Sequence, residues 1–186
     1  MNTSLMLGEP GTGKTHLLNE LVQQGRHPRR RIWVFAPNGG VRGVHCGDTA
    51  GFAQRDRWPP VAVFDRGDPL DLIELAVRIG RVTVVVDEVQ RLVPADLKRP
   101  KRGSALWKVI YEGRHPKVAL IAATQFPHEV GACLRKSAHR YVMFRLSDPY
   151  ELNYVSQRCG AQTAAAVAAL PGHDHLVWTP TQGLVS

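Results

Sequence analysis

Paired cysteines, long apolar runs and an acidic excess are all missing from this 186-residue chain. Its 3 cysteines, Cys46, Cys133 and Cys159, are odd in number and far apart, which argues against a disulfide framework or a zinc site and for a reducing, cytoplasmic setting. No apolar stretch approaches the roughly 20 residues that a bilayer-spanning helix requires. The opening residues Met1 to Ser4 carry no basic lead, and the apolar stretch behind them breaks at Gly8 and Glu9, so neither a signal peptide nor a membrane anchor is expected. Internal repeats and low-complexity linkers are absent too. Trp33, Trp58, Trp107 and Trp178 each lie in or beside an apolar segment, where packing rather than base stacking is the default.

What is present is positive charge. Lys and Arg total 24 against 16 Asp and Glu, a formal charge of +8. The excess is uneven: four arginines fall within Arg26 to Arg31, and Lys98, Arg99, Lys101 and Arg102 lie within five positions. Such clusters concentrate positive potential and gain from counterion release on phosphates, so a polyanion is a plausible partner; the alternative is an ordinary solvated surface. With 44% apolar residues the chain can bury one sizeable core, and one domain over residues 1–186 is expected, with its core over about 1–160 and an extension over about 161–186.

Short apolar runs alternate with stretches of helical period, the pattern of a doubly wound α/β domain with a mostly parallel sheet covered by helices. Strands are expected at Thr3 to Leu7, Arg31 to Phe35, Val61 to Phe64, Val82 to Val86, Val118 to Ala123 and Tyr141 to Leu146. Helices are expected at Lys14 to Gln24, Pro69 to Ile79, Ser104 to Glu112, His128 to Ser137 and Pro149 to Arg158. Glycines and prolines break any period from Ala36 to Pro60, which reads as a surface excursion with no assignable chemistry. Ala161 to Leu170 favours helix, and His175 to Trp178 can add an edge strand before a loose tail. The imidazoles and carboxylate of His173, Asp174 and His175 sit on that tail, where no metal site is expected.

Leu5, Met6 and Leu7 run directly into Gly8, Glu9, Pro10, Gly11, Thr12, Gly13, Lys14 and Thr15, the Walker A pattern at every required position. A strand delivers the loop, glycines let backbone amides turn toward a β-phosphate, and the following helix presents its positive end. Lys14 is expected to bridge the β- and γ-phosphates of ATP, with the Thr15 hydroxyl ligating Mg2+. His16 rounds off the loop on the first helical turn, with no catalytic part.

The β-branched strand Val82 to Val86 ends in Asp87 and Glu88, the form of Walker B. Asp87 is expected to hold the metal with Thr15, and Glu88 to polarise the attacking water. A third strand, Val118 to Ala123, ends in Thr124 and Gln125, at the carboxyl edge where ligands of parallel sheets bind. Gln125 either senses the γ-phosphate or merely caps the strand.

From Thr3 to about Gly160 these residues resemble the HerA/FtsK superfamily of DNA-translocating ATPases, particularly the genome-packaging ATPases of membrane-containing icosahedral viruses. The resemblance is carried by the Walker motifs, by the segment from Gly113 to Pro127 in which Arg114 precedes a strand ending in Thr-Gln, by Leu134-Arg135-Lys136, and by Tyr141 to Leu146. It implies a RecA-like sheet in the order 5-1-4-3-2, a homohexameric ring, and movement of double-stranded DNA into a preformed capsid. It also implies that Gln125 is the sensor and that Arg114 is a finger reaching the neighbouring subunit's γ-phosphate, with Arg91 and Arg135 as the other candidates. Neither an N-terminal barrel nor a C-terminal DNA-reading domain is evident, which favours the compact viral type and leaves DNA contact to the basic loop of Lys98, Arg99, Lys101 and Arg102. A capsid portal or packaging vertex is a further expected partner, in the host cytoplasm or at the virion vertex.

Two other readings compete. The stretch Asp87-Glu88-Val89-Gln90-Arg91 and the Gly113-Arg114-His115 region also resemble Zot-like assembly ATPases of filamentous phages. A nucleoside or metabolite kinase shares Walker A, but the chain shows no evident Arg-rich lid, and the Thr-Gln strand end disfavours it. No guanine-reading Asn-Lys-x-Asp pattern is present, so ATP over GTP follows from the resemblance.

Overall fold

The computed structural model describes residues 3–24, 31–112 and 117–185. Chain order gives β1 (Thr3–Leu7), α1 (Lys14–Gln24), β2 (Arg31–Phe35), α2 (Thr49–Ala53), β3 (Val61–Phe64), α3 (Pro69–Ile79), β4 (Val82–Val86), α4 (Ala105–Tyr111) and β5 (Ala119–Thr124). Then follow α5 (Ala132–Ser137), β6 (Arg140–Phe144), α6 (Pro149–Cys159), α7 (Ala161–Ala168), β7 (His175–Thr179) and β8 (Gly183–Val185).

The sheet orders β3-β2-β4-β5-β1-β6-β7-β8. Every pair from β3 to β6 is parallel, while β6–β7 and β7–β8 are antiparallel. The inner strands read as unbroken apolar runs because helices cover both faces: all of Val82–Val86 is buried. Alternation divides the core. Leu5, Leu7, Trp33, Phe35, Val84 and Val86 join a cluster on one face with Leu72, Ile73 and Ala76 of α3; Met6, Val34 and Val85 join a second with Leu18 and Val22 of α1.

Helix ends follow local chemistry. Asp68 caps α3 by accepting from the Leu70 N–H, Pro69 opens the helix and Gly80 closes it at φ 74°. Asp148 caps α6 by accepting from the N–H groups of Tyr150 and Glu151.

Four expectations need correction. The sheet is longer than the five-strand order 5-1-4-3-2: β3 lies outside β2, and β7 and β8 extend it beyond β6. The tail is not loose, and His175 to Trp178 is not an edge, because a turn ending at Gly183 folds β8 back onto β7. The stretch 36–60 is no mere excursion. Asp48 caps α2, Phe52 is wholly buried against Trp33 and Phe64, and bridges join His45 to Val63 and Asp48 to Arg66. The helix expected over His128 to Ser137 is split into a short 3-10 turn, Pro127–Glu129, and α5. Between them Gly131 is wedged so closely that a Cβ would lie 2.8 Å from the Pro94 carbonyl oxygen.

Candidate nucleotide site at the carboxyl ends of the strands

β1 ends at Leu7 and releases the chain into a loop held by its own backbone carbonyls and by the β6–α6 connection. A Cβ at Gly8 would lie 2.6 Å from the Phe144 Cβ and 2.8 Å from the Thr12 hydroxyl, so only glycine lets the loop pass beside β6. Gly13 takes φ 105°, a region L side chains avoid. The Thr12 hydroxyl donates to the Glu9 carbonyl at 2.8 Å, and the Lys14 ammonium donates to the carbonyls of Gly8 at 2.6 Å and Glu9 at 2.7 Å. Burial pushes the Lys14 pKa down, while the carboxylates of Asp87, Glu88 and Glu9 oppose that shift. Glu9 itself ties the loop to the β6–α6 connection, its carboxylate accepting from both the N–H and the hydroxyl of Ser147.

Pro10, Gly11, Gly13, Lys14, Thr15 and His16 line a cavity of about 440 Å³, together with Asn38, Gly39, Gly40, Asp87, Gln125 and His173. The loop, the Walker B aspartate and the end of β5 are thus brought to one space. Thr15 and Asp87 are oxygen donors on that space, the donor chemistry a hard cation such as magnesium prefers. Burial raises the Asp87 pKa, the neighbouring Glu88 raises it further, and Lys14 opposes both. A cation there would relieve the cost of ionising Asp87. An adjoining cavity of about 530 Å³ shares Gly13, His16 and His173 and has an apolar floor of Leu17, Phe144, Leu170 and Leu176. Apolar walls with a few polar groups suit the base and sugar of a nucleotide whose phosphates occupy the first cavity.

Glu88 occupies a corner beside Gln125. It takes the left-handed conformation, φ 59° and ψ 55°, which is costly for a non-glycine residue and recurs at functional sites. One carboxylate oxygen accepts from the Gln125 side-chain amide at 2.8 Å and the other from that of Gln90 at 2.6 Å. Both amide groups lie on one carboxylate that is only 8% exposed.

The remaining expected residues fall as follows. His16 is exposed and pairs with Glu20 one turn on, at 3.3 Å, while its edge of the helix borders both cavities. Lys98, Arg99, Lys101 and Arg102 are exposed on the stretch between β4 and α4. There Arg99 stacks over Trp107, 4.4 Å from the ring centroid, so it is partly committed to packing. Arg114 and the arginines from Arg26 to Arg30 lie outside the described residues. Arg135 stacks over Tyr154 at 5.0 Å.

Sequence reasoning missed three contributors. Asn38, Gly39 and Gly40 form a wall of the first cavity, held because Asn19 of α1 donates to the Gly40 carbonyl and accepts from the Arg42 N–H. His173, set aside as a tail residue, comes so near the loop that a Gly13 Cβ would lie 3.0 Å from its Cβ. The third is Gln90, for which the only sequence signal is an amide two positions after Glu88.

No family model matches the sequence, and no curated protein matches it. Solved structures do. The genome packaging NTPase B204 of Sulfolobus turreted icosahedral virus 2, in complex with ATP-gammaS, superposes with a TM-score of 0.79 at 18% identity, over 99% of this chain and 95% of that one. B204 described as the DNA-packaging ATPase of Sulfolobus turreted icosahedral virus gives 0.75 at 17%, over 100% and 95%. The cytoplasmic domain of the Thermomonospora curvata type VII secretion ATPase EccC gives 0.58 at 16%, over 98% of this chain but 25% of that one. The chain therefore has the mixed α/β fold of P-loop NTPases, matched along nearly its whole length by a viral packaging NTPase.

Proposed function

We propose that this protein is an ATPase that drives double-stranded DNA into a preformed viral capsid. The observation that carries the reading is the convergence of Lys14, Thr15, Asp87 and Gln125 on one cavity, with Glu88 hydrogen-bonded to Gln125, in a fold matched end to end by the B204 packaging NTPase. Lys14 exchanges its two loop carbonyls for the β- and γ-phosphate oxygens of ATP. Thr15 and Asp87 fit a magnesium ion, which supplies neutralisation of the phosphate charge. Glu88 accepts a proton from the attacking water, and Gln125, touching Glu88 while bordering the phosphate cavity, senses the γ-phosphate.

The adjoining cavity takes the adenosine moiety, with its rim at His16, His173 and His175. Arg114 acts on the nucleotide of a neighbouring subunit in a hexameric ring seated at a packaging vertex. A charge of +8 favours a DNA partner, and the exposed Lys98, Lys101 and Arg102 offer phosphate contacts. Among the described residues no helix is long and apolar enough to cross a membrane.

Steady-state ATP hydrolysis at low salt, with and without linear double-stranded DNA, tests the proposal. Stimulation by DNA is expected, with turnover lost in Glu88→Gln and in Arg114→Ala, and partly regained when the two variants are mixed. Turnover indifferent to DNA at every salt and protein concentration overturns the motor reading.

A further inference from the structure

The Glu88 carboxylate is held at both oxygens, yet only one of its partners, Gln125, borders the phosphate cavity. The other, Gln90, sits in the 3-10 turn Val89–Arg91 that follows directly from the left-handed Glu88. Its amide is itself oriented. The Phe126 N–H donates to the Thr124 hydroxyl oxygen at 3.0 Å, and the single proton of that hydroxyl points to the Gln90 carbonyl oxygen at 3.1 Å. A side-chain amide whose oxygen is claimed in this way must turn its NH2 the opposite way, and that NH2 donates to Glu88 at 2.6 Å. The chain of bonds therefore runs from the backbone after β5, through Thr124 and Gln90, to the far oxygen of Glu88. Thr124 is fully buried, so the start of the chain is fixed by packing.

From this geometry we infer that Gln90, oriented by Thr124, is a positioning residue that sets the rotation of the Glu88 carboxylate for attack on the γ-phosphate. The inference rests on the proposed role of Glu88 as the group that activates water, and on no claim about DNA. Gln125 alone fixes one oxygen and leaves the carboxylate free to swing about that contact. Gln90 removes this freedom while leaving the remaining lone pairs of both oxygens able to accept from water. Because Gln90 borders neither cavity, its loss should act on turnover and not on nucleotide affinity. A misplacement of about 1 Å in a reacting group can lower a rate by on the order of a hundredfold.

The test compares kcat, KM for ATP, and the Kd of a non-hydrolysable ATP analogue in the full chain. Gln90→Met keeps the side-chain length without the amide and Gln90→Ala removes it. Each is expected to lower kcat by about tenfold to a hundredfold while KM and Kd stay within about twofold. Thr124→Val should lower kcat by a smaller factor, and Thr124→Ser, which keeps the hydroxyl, should restore it. In a Glu88→Gln background, adding Gln90→Met should cost nothing further, since the carboxylate it positions is gone. Wild-type kcat in both Gln90 variants, with Glu88→Gln inactive, overturns the inference alone. So does a fall in kcat matched by an equal loss of analogue affinity, which marks a general disturbance of the site. Wild-type turnover in Glu88→Gln instead overturns the role of Glu88, and the inference with it.

Discussion

The two halves of the site are built in opposite ways. Within the phosphate loop from Gly8 to Thr15, most side-chain contacts span six residues or fewer and end on backbone atoms, Thr12 on Glu9 and Lys14 on Gly8 and Glu9, while Glu9 reaches out to Ser147. The Glu88 corner is made of side chains from separate strands, Thr124 meeting Gln90 across 34 positions and Gln125 meeting Glu88 across 37. The first half is mainly local, anchored to the rest of the fold through Glu9 and Gly8. The second exists only when β4 and β5 lie side by side in the observed register, Val86 opposite Ala122. Binding and turnover are therefore separable, and substitutions can break one without the other.

The largest expected effect comes from the local half. Lys14→Ala removes the cation proposed to bind the phosphates and should weaken ATP-analogue binding by at least about a hundredfold, read by calorimetry. Glu88→Gln should do the reverse, lowering kcat by about 10²- to 10⁴-fold with analogue binding retained, which single-turnover and binding measurements together would show. Loss of binding in Glu88→Gln would erase the distinction between the halves. Gly8→Ala strikes a place where the loop leans on a distant strand. The 2.6 Å overlap with Phe144 should cost about 1–3 kcal/mol in denaturant unfolding as well as lowering affinity.

Smaller effects sharpen the comparison at its edges. Asp148→Ala removes the side-chain cap of α6 but keeps the Asp148 backbone that bonds Glu9, so it should cost about 1 kcal/mol while leaving both Kd and kcat unchanged. Ser147→Ala loosens the tie between Glu9 and the β6–α6 connection. The Ser147 hydroxyl and N–H hold the Glu9 carboxyl below its usual range, so this tie contributes stability above the unfolded carboxyl pKa and loses it as pH falls through the folded one. Ser147→Ala should therefore remove about 0.5 kcal/mol near neutrality, solvent screening keeping it small, and the difference from wild type should vanish under acid, followed by thermal unfolding against pH.

The same division explains what was legible beforehand. Lys14–Gln24 and Pro69–Ile79 begin and end where the sequence places them, because glycines, a capping aspartate and a proline mark their boundaries locally. The Walker residues were legible for the same reason. Gln90, Asn38 and His173 were not, since each reaches the site through sheet order or through a turn held by a partner such as Asn19. The irregular stretch 36–60 concealed a core residue, Phe52, because isolated aromatics among glycines and prolines carry no periodic signal. The closing hairpin was half visible: β7 has strand-forming residues, but the β8 partner Gly183–Val185 is three residues long and gains its form only by pairing.

That hairpin bears on the order in which the protein matures during synthesis. β6 lies against β1 on one side, and among the described residues its other side is covered by β7, whose residues are made later than its own. Until they emerge, β6 is an open sheet edge, able to recruit a strand from another nascent chain, and the phosphate loop lacks the wall that His173 brings. Nucleotide competence and protection from edge-to-edge association then arrive in the same step, once β7 has paired with β6. A saturating adenine nucleotide present during synthesis should favour the paired form over the open edge.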